Sequence, residues 1–144
     1  MTNQTMPGVP AGGFNTIGQI RPTNDLVVHL YDNAMGVALD LLATHTHGAP
    51  VVDENGEFKG FVSEFNLLRA LKAEKDLNTL RAEDVMVRDR NAVSDDTSIE
   101  DAMRIMEEGR LHNLPVEKNG KVLYSITRHD LLRAWIGLGV DIET

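Results

Sequence analysis

His47-Gly48-Ala49-Pro50-Val51 recurs as His112-Asn113-Leu114-Pro115-Val116, and Ser63-Glu64-Phe65-Asn66-Leu67-Leu68-Arg69-Ala70 recurs as Thr127-Arg128-His129-Asp130-Leu131-Leu132-Arg133-Ala134. Between these stretches each copy carries the same dipeptide, Asn55-Gly56 and Asn119-Gly120. The period is about 64 residues in a chain of 144, so the chain holds two copies of one small unit. Two such units usually pack together and bury the faces that neither can bury alone.

Working outward, each copy spells the same elements. Asn-Gly supplies positive φ at both central positions of a type I′ turn, the strongest short hairpin signal. It predicts strands over Ala49–Val52 and Phe58–Val62, and over Leu114–Val116 and Val122–Ile126. Upstream, Met35, Ala38, Leu39 and Leu42 have helical spacing, as do Ile99, Ala102, Met103 and Met106. Asp96 and Thr97 read as the N-cap of the second of these helices, with Glu100 completing a capping box. Leu26-Val27-Val28 is a short β-prone run before the first. Downstream of each hairpin, Leu67, Leu68 and Leu71 match Leu131, Leu132 and Trp135 on a second helix. Each copy therefore reads strand, helix, strand, strand, helix. The organisation expected is a flexible tail over 1–15, a first repeat over 16–72, a polar linker over 73–83, a second repeat over 84–137 and a short tail over 138–144. The tail reading rests on the glycines and prolines between Pro7 and Gly13.

Composition narrows the function. A chain of this length buries roughly 68–70% of its unfolded surface, enough for a core without staples. It has no cysteine, which excludes disulfides and thiolate metal sites. Fourteen basic against 22 acidic residues leave a net charge of −8. That argues against a nucleic-acid partner, whose phosphates are met by Lys and Arg, but not against a small anion held by a few local donors. No apolar run approaches the roughly 20 residues of a membrane span. Met1–Phe14 lacks the charged and apolar regions of a signal peptide. A cytoplasmic protein with no membrane partner is expected.

The β-α-β-β-α order, the His-x-x-Pro-Val entry, the Asn-Gly hairpin and the Ser/Thr-x-x-Asp-Leu-Leu exit, present twice, resemble the CBS domain, named after cystathionine β-synthase. A tandem pair resembles a Bateman module. The likeness covers roughly residues 17–137. It implies an α/β (α+β) fold: two sheets packed face to face, helices outside, and a pseudo-two-fold axis. It also implies two clefts between the copies, where such modules commonly bind adenosine-containing ligands.

Thr127 and Asp130 match the family's ligand motif. A carboxylate can accept from both hydroxyls of a ribose in charge-assisted bonds, and a Thr hydroxyl can add a donor toward ribose or phosphate. The same pattern before an apolar run is also a helix capping motif, and the two roles are compatible because a helix start presents free N–H groups to an anion. The first copy departs from the pattern: Ser63 is kept, but Asn66 replaces Asp. Hydrogen bonds to charged groups contribute roughly 1.5–3 kcal/mol net against about 1 for neutral ones, so a site on Asn66 should be weaker by about tenfold, vacant, or selective for another ligand. Tyr124 stands where the first copy has Gly60, which suggests a narrower cleft on one side.

His47 and His112, each three residues before the proline, should sit at equivalent points near the cleft mouths. In some family members a basic or polar residue here meets ligand phosphates. The alternative is a solvated loop histidine. His45-Thr46-His47 is a weak metal signal without a third ligand, and no metal is expected. By the resemblance, Asn33 and Ala38 line the adenine side of the opposite wall, with Thr97 and Ala102 as counterparts. Helix capping and small-residue packing are their plainer roles. Val62 and Ile126 offer adenine backbone groups and an apolar wall, or are simply core. Arg69 and Arg133 read as a solvated helix face.

No nucleophile elbow, P-loop or dinucleotide fingerprint is present, and no base–nucleophile pair with an orienting group. The chain is therefore read as a non-enzyme. The first reading is a stand-alone regulatory module binding an adenosine-type small molecule (AMP, ADP or ATP, with AMP favoured by the acidic surface) and requiring no other cofactor. Its output would be a change in the angle between the copies. A homodimer through the outer helices is expected, using Leu67, Leu71, Leu131 and Trp135, together with a regulated protein the sequence does not name. The second reading is an interaction and dimerisation scaffold with vestigial clefts.

Overall fold

The structure, a computed structural model, describes residues 15–20, 25–89 and 91–137. Of the tails expected over 1–15 and 138–144, all but Asn15 lies outside the described residues. The first copy runs β1 (Val28–His29), α1 (Ala34–Thr44), β2 (Gly48–Val52), β3 (Phe58–Ser63) and α2 (Glu64–Lys72). A 3-10 turn at Leu77–Thr79 and the short α3 (Ala82–Val85) follow. The second copy runs β4 (Val93–Ser94), α4 (Ile99–Gly109), β5 (Asn113–Lys118), β6 (Lys121–Thr127) and α5 (Arg128–Trp135).

Each copy makes its own three-stranded sheet, β1-β2-β3 and β4-β5-β6. The first two strands of each sheet are parallel, joined by a helical crossover, and the last two form an antiparallel hairpin. The two hairpins share one motif but not one turn. In the second, Asn119 (φ 56°) and Gly120 (φ 79°) both take positive φ, the type I′ signature. In the first, only Gly56 of the Asn-Gly pair does so (φ 83°), while the register shift between Val51 and Val52 has its counterpart between Val116 and Glu117 in the second. The Asp53 carboxylate explains the difference. It accepts from the Asn55 and Glu57 N–H groups (2.8 and 3.0 Å) and holds a wider loop.

The helix faces also differ from the sequence reading. On α1 the buried stripe is Ala34, Val37 and Leu41, while Leu39 and Leu42 face solvent. On α4 the buried stripe is Ile99, Ala102 and Met106, three of the four residues the spacing predicted, while Met103 is exposed. Its N-cap is Ser98, one residue beyond Thr97, with Ser98 Oγ accepting from the Asp101 N–H at 3.1 Å.

The copies exchange their leading segments. Ile17 and Ile20, ahead of the first copy, are buried in the core of the second, and the Ile17 N–H donates to the Thr97 carbonyl at 2.9 Å. In mirror fashion Leu77 and Ala82 are buried in the core of the first copy. The Ala34 N–H donates to the Leu80 carbonyl, and the Ala82 N–H to Asp32 (2.9 and 2.8 Å). The bridges Thr16–Ser98 and Asn33–Arg81 are equivalent under the repeat. Part of the stretch expected to be a polar connector thus closes the first core.

Candidate functional site

The two copies meet where α1 and α4 hand over to β2 and β5. Both helices end in a left-handed residue, His45 (φ 54°) and Arg110 (φ 53°). This reversal ends the helix and satisfies its last carbonyls. Two residues later come His47 and His112. Their rings stand 4.7 Å apart at 39°. The Asn113 side chain donates across the interface to the Gly48 carbonyl at 2.9 Å. The next helices attach at the same point: the Glu64 N–H donates to the His47 carbonyl, and the Arg128 N–H to that of His112.

The histidine pair forms a common wall for two clefts. One, of about 410 Å³, is lined by Thr127, Arg128 and His129 from one copy and by Thr44–His47 from the other. The other, of about 320 Å³, is lined by Ser63, Phe65 and Phe61 on one side and by Arg110–His112 on the other, with Val87, Asp89 and Asn91 at its edge. His47, His112 and Asn113 border both. We call them the histidine cleft and the phenylalanine cleft. Their volumes fall in the range of small-ligand pockets, roughly 300–1,000 Å³.

The electrostatics differ between the two histidines. His47 Nδ1 lies 3.2 Å from a Glu64 carboxylate oxygen. His112 Nδ1 instead contacts the Arg128 guanidinium. Burial, then Arg128 and His47, push the His112 pKa below its ordinary value, with Glu64 opposing.

The model of the CBS domain family matches this chain twice, over residues 17–73 and 82–137. The chain belongs to the CBS-domain family. Protein YlbB of Bacillus subtilis is 31% identical over 101 residues, 69% of this chain and 68% of YlbB. The inosine-5′-monophosphate dehydrogenase of Methanocaldococcus jannaschii is 29% identical over 111 residues, 76% of this chain, but the match spans only 21% of that enzyme. Among solved structures, the crystal structure of CBSX2 in complex with AMP superposes with a TM-score of 0.72 at 28% identity, over 86% of this chain and 97% of that one. CBSX2 is from Arabidopsis thaliana.

The pair of CBS repeats brings some of the sequence-predicted residues to the clefts and not others. Thr127, His112, His47 and Ser63 line them. Asp130 does not: its side chain is 0% exposed. The carboxylate accepts from both the Thr127 N–H and its hydroxyl at 3.0 Å and lies 3.8 Å from Arg133. In this structure the carboxylate serves as the N3 partner of the capping box on α5. Asn66 repeats the arrangement, accepting from the Ser63 N–H and hydroxyl (2.8 and 3.1 Å). Val62 and Ile126 are wholly buried core residues. Asn33 caps α1 at Gly36 and donates to the Asn78 carbonyl, and Ala38 borders an outer groove between α1 and α2. Ala102 is core. None of these lines either cleft.

Three further expectations are corrected. Gly60 and Tyr124 do not set the cleft widths. A Cβ on Gly60 would lie 2.4 Å from the Val87 carbonyl oxygen, so glycine is needed there for the Phe61–Val87 bridge. Tyr124 packs on the second core, where burial and then Asp95 push its hydroxyl pKa up. Arg133 is folded onto Asp130 rather than solvated. Leu67 and Leu131 face their own cores, and the exposed outer residues are Leu68, Leu71, Leu132 and Trp135.

The sequence reading did not assign Arg128, His129, Phe61, Phe65 or Arg110 to the clefts. The signal was present in the repeat. The residues beside Ser63 and Thr127, and those two before each histidine, are fixed in space by the same caps. No group of three or more His, Asp or Glu side chains is poised for a metal among the described residues. No helix among them is long and apolar enough to cross a membrane.

Proposed function

We propose that this CBS pair is a regulatory module that takes up an adenosine-containing nucleotide, AMP ahead of ADP or ATP, in the clefts between its repeats. The observation that carries the reading is the likeness to CBSX2, a CBS pair solved with AMP, across 86% of this chain. The clefts supply suitable chemistry. Thr127, Ser63 and the backbone around them offer ribose and phosphate partners, and Arg128, Arg110 and the histidine pair offer cations. The ligand would bridge the repeats, so it would favour one relative angle by its differential affinity for the two arrangements. The exposed apolar residues on α2 and α5 suit a homodimer, through which that angle reaches a regulated protein.

A second reading has its own support. The buried Asp130, together with the exposed Leu68, Leu71, Leu132 and Trp135, suits a scaffold that pairs through its outer helices without a ligand. A thermal-shift series with AMP, ADP, ATP and S-adenosylmethionine separates the two. A ligand at 100 times its Kd stabilises by about 2.7 kcal/mol, a rise of several degrees in Tm. No shift from any of the four overturns the nucleotide reading and leaves the scaffold.

A further inference from the structure

The repeat makes the clefts comparable position by position, and the comparison separates their chemistry. His129 of the histidine cleft corresponds to Phe65 of the phenylalanine cleft, Thr46 to Leu111, and His45 to Arg110. The strand position of Phe61, opposite Pro50, is held by Ser125, opposite Pro115. Phe61 lines its cleft, whereas Ser125 is buried.

The aromatic wall is built in by the neighbouring strand. A Cβ on Gly48 would lie 2.6 Å from the Phe61 ring. Glycine there lets the ring lie directly on β2. The second copy has Asn113 at this place, and its side chain reaches across to donate to the Gly48 carbonyl. Phe65 stands at the first turn of α2, 69% exposed. An exposed phenylalanine beside Phe61, Val87, Leu111 and Pro115 is a surface for a flat ring. Aromatic pairs gain about 0.5–1.5 kcal/mol beyond area burial when offset-stacked or edge-to-face. Arg110 and Ser63 border the same cleft, so a ring bearing a polar, anionic tail finds partners for both ends.

We infer that the phenylalanine cleft, not the cleft containing Thr127, holds the nucleobase, with Phe65 and Phe61 as its stacking residues. This rests on the nucleotide reading above and reverses the preference that Asn66 against Asp130 suggested from sequence. That preference required an accessible Asp130 carboxylate, and the carboxylate is buried. What differs at the surface of the clefts is His129 against Phe65, Thr46 against Leu111 and His45 against Arg110.

Isothermal titration with adenosine and with AMP tests it, on the wild type, Phe65→Ala, Phe65→Trp and His129→Ala. Phe65 is exposed, so its replacement leaves the core intact, and circular dichroism checks this. One adenosine per chain is expected. Phe65→Ala should weaken it by about tenfold or more, the scale of one base–aromatic stack. Phe65→Trp should restore it, and His129→Ala should weaken adenosine less than Phe65→Ala does. The inference is overturned if Phe65→Ala binds adenosine like the wild type, if His129→Ala loses more, or if two adenosines bind with equal affinity. If neither adenosine nor AMP binds the wild type, the nucleotide reading itself fails and this assignment falls with it.

Discussion

The histidine and phenylalanine clefts share a wall, a hairpin pattern and a capped helix, yet they present opposite chemistries. Beside the shared His47 and His112, one has Arg128, His45 and His129, and the other has phenylalanines, a leucine and a valine with one arginine. The shared features are backbone features: left-handed helix ends, a strand and a Ser/Thr-started helix. The differences are all side chains whose backbone those features hold in place. A duplicated fold can therefore keep two sites in register while the sites diverge, because a surface substitution in a cleft costs the core little. Where a difference does reach the core, a second residue compensates. Gly48 with Phe61 and Asn113 with Ser125 are two solutions to one packing problem.

The largest test of this comparison is to impose a side chain on Gly48. A Cβ there meets the Phe61 ring at 2.6 Å and the Val62 carbonyl oxygen at 2.7 Å, and neither can retreat freely. Gly48→Ala should cost about 3 kcal/mol, the upper end for overpacking a core. Asn113→Ala, at the equivalent site, loses one hydrogen bond and should cost about 1 kcal/mol. Urea unfolding of the two variants measures both, and equal costs would break the argument that the packing differs. Next come the caps. Asp130→Ala leaves the Thr127 hydroxyl on the residue 130 N–H but removes the acceptor of the Thr127 N–H and leaves Arg133 without its carboxylate, so about 2 kcal/mol is expected. Asn66→Ala loses the acceptor of the Ser63 N–H and has no arginine ion pair behind it, so it should cost about 1 kcal/mol. A larger loss at Asn66 would mean that the Asp130–Arg133 contact contributes nothing.

A smaller effect probes the ligand. Arg110 borders the phenylalanine cleft and is placed to meet phosphate, so Arg110→Ala should weaken AMP by about tenfold, as expected for one lost charged hydrogen bond. Adenosine, lacking phosphate, should respond less. Equal losses for both in calorimetry would remove phosphate from that cleft.

The sequence carried the fold because the fold is written in backbone signals, repeated twice. The Asn-Gly turns, the Ser63 and Thr127 caps and the helical spacing on α4 each have a local cause. The misses have non-local causes. Nothing near Asn55 announces that Asp53 will widen the first turn. The spacing Met35, Ala38, Leu39, Leu42 cannot reveal that α1 is rotated to put Val37 and Leu41 inward, because both stripes are apolar. The exchange of Ile17 and Ala82 between cores is invisible to any local pattern. At the site, the histidines were legible from the repeat, and so was the choice between capping and ligand contact for Asp130. What the pattern does not show is that Asp130 is buried with Arg133 folded against it.

The smallest effect concerns the two histidines themselves, which differ by one partner, Glu64 against Arg128. Burial and the Arg128 and His47 charges lower the pKa of His112 in the folded chain, below the ordinary value of 6.5. Between that folded value and 6.5 the unfolded chain binds more protons than the native one, so stability rises with pH across this window. It is present above 6.5 and is lost as pH falls through the window toward the folded pKa. His112→Gln removes the titrating group, and its melting temperature should fall less than that of the wild type between pH 7.5 and about 5.5. Arg128→Ala should move the same way by removing one of the depressing charges. An acid response unchanged in both variants would show that the His112 environment has no energetic consequence. The contrast between Glu64 and Arg128 would then be confined to what each cleft presents to a ligand.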